Sequence, residues 1–73
     1  MKETRFSVGD KIARTGYEKF SSERMTVLGV VSDGRPFCPQ LWYITEDDRG
    51  NRHNGLVKIV DSCFHLINTE HTA

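Results

Sequence analysis

The sequence predicts a small all-β domain, a barrel of five short strands. Three observations carry that expectation. Phe6-Ser7-Val8-Gly9-Asp10-Lys11-Ile12 and, after a polar gap, Met25-Thr26-Val27-Leu28-Gly29-Val30-Val31 read as two opening strands. Three further apolar runs follow at short spacing, separated by glycine, proline, aspartate and asparagine. No segment keeps a helical spacing of apolar residues for as long as about ten positions.

A chain of 73 residues is expected to be a single domain, residues 1–73, with an ordered core at about 5–67 and loose ends at residues 1–4 and 68–73. At this size folding buries only about 60% of the surface that the unfolded chain exposes, so the core must be thin. A staple or a partner subunit would help such a domain, because apolar burial and ordering entropy nearly cancel.

Along the chain, Phe6 and Val8 alternate with polar residues, and Gly9-Asp10 offers a turn or bulge before Lys11-Ile12-Ala13, giving a short first strand with a kink. Asp10 is suited to cap that turn through its carboxylate. Residues 14–23 show neither period and form an excursion loop, long for a hairpin connection. Residues 24–32 form the second strand, apolar on both faces, with Gly29 where a bend across the core is easiest. Asp33-Gly34-Arg35-Pro36 is a turn, and Pro39 delays pairing until Gln40. Leu41-Trp42-Tyr43-Ile44-Thr45 is the densest strand signal, and Glu46-Asp47-Asp48-Arg49-Gly50-Asn51 closes a hairpin behind it. Leu56-Val57-Lys58-Ile59-Val60 is the expected fourth strand, Asp61-Ser62-Cys63 a break of one 3₁₀ turn, and Phe64-His65-Leu66-Ile67 the last strand.

Ten basic and ten acidic residues cancel, which argues against a surface built as a polyanion trap. The longest apolar run, residues 27–31, is far short of the ~20 residues that cross a bilayer, so no membrane partner is expected. Residues 1–10 carry charges at Lys2, Glu3, Arg5 and Asp10 with no apolar stretch of a leader, and with two cysteines a reducing, cytoplasmic home is the default.

No constellation of residues amounts to a catalytic centre, and no cofactor is implied. Cys38, His53, Cys63 and His65 have the donor atoms of a zinc site but neither a Cys-x-x-Cys pair nor repeated spacing, so they read as small thiols and surface imidazoles. A Cys38 to Cys63 disulfide is open but unforced. Cys63 with His65 or His53 supplies a nucleophile and a base without an orienting group or oxyanion hole. Glu46-Asp47-Asp48 lacks the alternating spacing of a calcium loop.

The better candidate surface is Arg14, Tyr17, Lys19, Phe20 and Arg24, where cations interleave with aromatics as in sites that stack bases and neutralise phosphates. The plainer role folds Tyr17 and Phe20 over the barrel mouth and leaves the cations solvated. Trp42 and Tyr43 point to opposite faces of one strand, so one belongs to the core and the other is free to anchor a partner. Strand curvature decides which.

With its Phe6-Ser7-Val8-Gly9-Asp10-Lys11-Ile12 opening, Met25-Thr26-Val27 second strand and Phe64-His65-Leu66-Ile67 close, the chain resembles small, largely uncharacterised barrel proteins of bacteria and phages with an SH3-like, KOW-type fold. The likeness spans roughly residues 6–67 and implies adaptor or nucleic-acid-contacting roles without choosing between them. The proline-binding aromatics of signalling SH3 domains are not matched. The expected function is a noncatalytic module that presents the loop at residues 14–24, with Trp42 or Tyr43 nearby, to a larger protein, as phage accessory proteins do. The alternative is a nucleic-acid-binding barrel using Arg14, Lys19, Arg24 and Arg35, with Tyr17 or Phe20 stacked on a base; zero net charge favours the first. A homodimer that buries Trp42 and an edge strand is a third reading.

Overall fold

Strands β1 (Lys11–Arg14), β2 (Arg24–Ser32), β3 (Leu41–Asp47), β4 (Arg52–Leu56) and β5 (Phe64–Leu66) form one antiparallel sheet in the order β4-β3-β2-β1-β5, with one short helix, α1 (Val57–Cys63), between the last two. The structure, a computed structural model, describes residues 4–67; the expected loose ends, apart from Thr4, lie outside the described residues. The all-β class holds. The sheet does not close into a barrel, because its end strands β4 and β5 do not pair and the chain passes from one to the other through α1.

The opening run becomes a strand only at Lys11. Before it, Ser7 and Asp10 close a turn: the Ser7 N–H donates to Oδ2 of Asp10 at 2.8 Å, the Asp10 N–H donates to the Ser7 carbonyl at 3.0 Å, and Gly9 adopts φ 94°. Asp10 thus caps the turn as its carboxylate suggests. The turn tips Phe6 inward, where it is 2% exposed, and leaves Val8 outside.

β2 has the expected bounds, and its irregularity falls where the sequence places a bend. Val27 pairs with Thr45 and Gly29 with Ile44, so Leu28 is the extra residue of a bulge. The expectation that β2 buries both faces is corrected: Val27 is fully buried, while Leu28, Val30 and Val31 are all more than a third exposed. With one layer and one short helix among the described residues, no element packs over the second face at Leu28, Val30 and Val31.

The expected fourth strand at residues 56–60 is also corrected. β4 ends at Leu56, and the β-branched run that follows is α1. A strand would send Val57 and Val60 to opposite faces, whereas one helical turn brings both to the core and leaves Lys58 and Ile59 outside. Gly55 lets the helix lie close: a Cβ there would sit 2.6 Å from Cγ2 of Val60.

The core is Phe6, Ile12, Val27, Tyr43, Val57 and Val60, flanked by Met25, Leu41 and Phe64. Tyr43 is its polar centre. Its hydroxyl donates to Oδ1 of Asp61 at 2.6 Å and accepts the Phe6 N–H at 3.0 Å, and the Phe6 ring lies 5.9 Å from its own. Burial first, and the Asp61 carboxylate second, push the Tyr43 hydroxyl above the usual phenol range. Arg5 completes the clasp, donating from its guanidinium to the carbonyls of Asp61 at 2.7 Å and Phe64 at 3.2 Å.

Candidate functional site

The loop after β1 is built from its own interactions. Successive N–H donations from Tyr17 to the Arg14 carbonyl and from Phe20 to the Tyr17 carbonyl wind it into turns, and a 3₁₀ turn, Ser21–Glu23, delivers the chain into β2. The Arg14 guanidinium stands 4.6 Å over the Tyr17 ring, and the Tyr17 and Phe20 rings are 6.1 Å apart. Both rings are about half exposed, so they do not fold back over the core. Lys19 is exposed beside them.

Of the three candidate cations of the loop, Arg24 is matched by an acid. Arg24 donates through Nε to Oδ2 of Asp48 at 2.8 Å and through its guanidinium to the Glu18 carbonyl at 3.2 Å, and Lys11 pairs with the same Asp48. The Lys11 hydrogen bond, reinforced by Arg24, holds the Asp48 carboxyl below the usual carboxylate range. Nε2 of His65 lies 3.4 Å from the Glu18 carboxylate, and Nδ1 lies 3.1 Å from the Thr15 hydroxyl. A phosphate backbone would have to displace these partners.

Trp42 and Tyr43 part as alternation requires. Tyr43 is fully buried and is therefore removed from the candidate contact surface; its ring fills the core. Trp42 lies partly exposed on the outer face, in register with Val31 of β2 and Leu56 of β4. This corrects the expected grouping as well. The loop joins β2 at Arg24, whereas Trp42 pairs seven residues further along, roughly 23 Å away at ~3.3 Å per residue. The loop and Trp42 are two surfaces.

The second surface is larger than Trp42. β1 pairs with β2 only as far as Thr26, so beyond it β2 is the open edge of an arm made with β3 and β4, which β2 and β3 extend by the Ser32–Leu41 pair before residues 33–40 join them. Its outer face carries the row Val31, Trp42, Leu56 and, next to it, Ile44 with the bulged Leu28. Val30 is 37% exposed on the inner side, Val31 48% on the outer, and Phe37 in the connecting loop 94%. Asp33 shapes that loop. Its Oδ1 accepts the N–H groups of Gln40 and Arg35, at 3.1 and 3.2 Å, and Nε of Arg35 lies 3.3 Å from Oδ2. These contacts, the Gln40 N–H above all, lower the Asp33 carboxyl below its ordinary range.

Sequence reasoning missed Leu28, Val31 and Phe37 as surface residues. The signal available was charge: between Arg24 and Glu46 the only charged residues are Asp33 and Arg35. The four residues with zinc-ligating atoms do not assemble. Cys38 and Cys63 are free, exposed thiols, His53 is bound to Asp47 and His65 faces Glu18. Among the described residues no three metal-ligating side chains converge, and no helix is long and apolar enough to cross a membrane. Comparison of the chain with protein-family models, curated proteins and solved structures finds no match, so the reading of these surfaces rests on the residues themselves.

Proposed function

We propose that this chain is a noncatalytic protein-interaction module of the small SH3-like type, and that its docking element is the arm of β2 and β3 with the adjoining outer face. The order β4-β3-β2-β1-β5, with a helical turn before the last strand and that strand returning beside the first, supports the finer fold reading. One observation carries the functional one. The arm exposes Leu28, Val30, Val31 and Phe37 while its only two charges neutralise each other. A sheet edge left open beyond Thr26, with apolar side chains on both faces, favours an apolar protein surface over a polyanion. The aromatic and cationic loop at Arg14, Tyr17, Lys19 and Phe20 is a secondary contact at the other end of β2.

Capture with tagged protein from nuclease-treated lysate at about 1 M salt, where exposed ion pairs are screened, tests this. A stoichiometric protein partner retained by the native chain and by Arg14→Ala, but lost with Val31→Asp or Phe37→Ser, is expected. Recovery of nuclease-sensitive material alone, lost with Arg14→Ala, would place the function with nucleic acid instead. A light-scattering mass of twice the chain, abolished by Val31→Asp, would make the arm a dimer contact.

A further inference from the structure

Where β4 and β5 fail to meet, a half-open cleft of about 280 Å³ remains between the sheet edge and α1. Its walls are largely apolar, with Met25 from β2, Leu56 from β4, Ile59 and Val60 from α1, and Phe64 from β5. No aspartate, glutamate, lysine or arginine lines it; the polar side chains include His53 and Thr45.

The His53 ring is held in place. Its Nε2 lies 2.8 Å from Oδ2 of Asp47, whose side chain is only 2% exposed. The other oxygen of Asp47 accepts the N–H groups of Arg49 and Asn51, both at 2.9 Å. An ionised carboxylate can only accept, so in neutral His53 the proton sits on Nε2 and Nδ1 is a bare acceptor. No described group donates to Nδ1, and the His53 side chain is 45% exposed. The Thr45 hydroxyl is already shared between the Met25 sulfur and the His53 carbonyl, both at 3.3 Å.

A carboxylate-fixed imidazole that keeps one acceptor free at the edge of an apolar cleft is a recognition arrangement. The space is nearly twice the ~150 Å³ that accommodates benzene in a dry protein cavity. A thioether and a phenyl ring in the walls suit a flat π system. We propose that this cleft binds a small, uncharged aromatic molecule bearing one N–H or O–H donor, of the size of indole or a substituted phenol, with its ring against Met25, Val60 and Phe64 and its donor on Nδ1 of His53. Of the outer-face row Val31, Trp42 and Leu56, the site shares Leu56 alone.

Amide NMR titration of the full chain with indole, 3-methylindole and 1-methylindole tests it without altering the protein. Indole and 3-methylindole are expected to give saturable shifts at Gly55, Leu56, Val60 and Phe64, with a Kd of about 1 mM or tighter. 1-Methylindole has the bulk of its isomer but no donor, and is expected to bind roughly tenfold more weakly. Ile59→Asp changes a side chain that is 58% exposed at the cleft and should remove the shifts while preserving the rest of the spectrum. Equal binding of the two methylindoles, shifts confined to the Val31 and Trp42 face, or no saturable shift up to the solubility limit would each overturn the proposal.

Discussion

Tyr43→Phe is the sharpest probe of how this fold is held together, because it removes one oxygen from the middle of the core and nothing else. The ring stays, and with it the packing on Phe6. Two hydrogen bonds go. The donation to Asp61 is charge-assisted and is worth about 1.5–3 kcal/mol, part of which water and the Arg5 N–H at 3.2 Å from Oδ2 restore. The Phe6 N–H loses its acceptor in a buried setting, at about 1–3 kcal/mol. The sum is about 3 kcal/mol, a large part of the roughly 7 kcal/mol that a domain of this length holds at ~0.1 kcal/mol per residue. At about 4–8 °C per kcal/mol, the melting temperature should fall by roughly 12–24 °C. Urea unfolding followed through Trp42, the only tryptophan, measures the loss directly, and the m-value should not change. A loss under about 0.5 kcal/mol would refute the reasoning, since it would mean that neither hydrogen bond contributes.

Gly55→Ala should cost about 1–3 kcal/mol in the same assay, because its Cβ meets Cγ2 of Val60 at 2.6 Å; in a Val60→Ala background the added cost should shrink. Asp47 and Asp48 are both more acidic in the fold than in the unfolded chain, through the hydrogen bonds from His53 and Lys11 respectively. Their contribution to stability is therefore complete above the ordinary aspartate pKa of ~3.9 and lost as pH falls through their lower folded values, so urea midpoints should drop between about pH 5 and pH 2 and Asp48→Asn should flatten that decline. Val31→Asp should leave the urea midpoint within about 0.5 kcal/mol of the native protein, because half the side chain already faces water, even as it abolishes capture of a partner.

Legibility followed the local signals. Bounds of β2, the site of its bulge, the Asp10 turn and the presence of a hairpin within residues 46–51 were readable because glycine, aspartate and β-branched runs act within a few residues of themselves, though β3 runs two residues further, to Asp47. α1 was not, because a short apolar run fits a buried strand and a buried helical turn equally well until Tyr43 offers Asp61 a partner from another element. Which of Trp42 and Tyr43 turns inward depends on where α1 packs, and that is a tertiary fact. The candidate loop was legible as a group of residues, but the pairing of Arg24 was not: its partner Asp48 is twenty-four positions away, and thirty-seven from Lys11, which shares it. The arm was hidden for the opposite reason. Its valines look like core residues in a sequence, and only the end of β1 pairing at Thr26 shows that β2 is an open edge beside them.

The place of β1 in the sheet sets a timetable for the chain. β1 lies between β2 and β5, so the first strand to be synthesised waits for the last before both its edges are paired. Phe6 waits too, because the Tyr43 hydroxyl that receives its N–H is fixed by Asp61, and Arg5 reaches across fifty-six positions to that same residue. A nascent chain that ends before α1 can pair β3 with β2 and β4, and it then exposes the apolar side of that sheet together with a first strand open on the edge that β5 will take. Synthesis from a ribosome and refolding from urea thus face the same late step, closure of the two ends around α1, and topologies dominated by such distant pairings fold in milliseconds to seconds rather than microseconds.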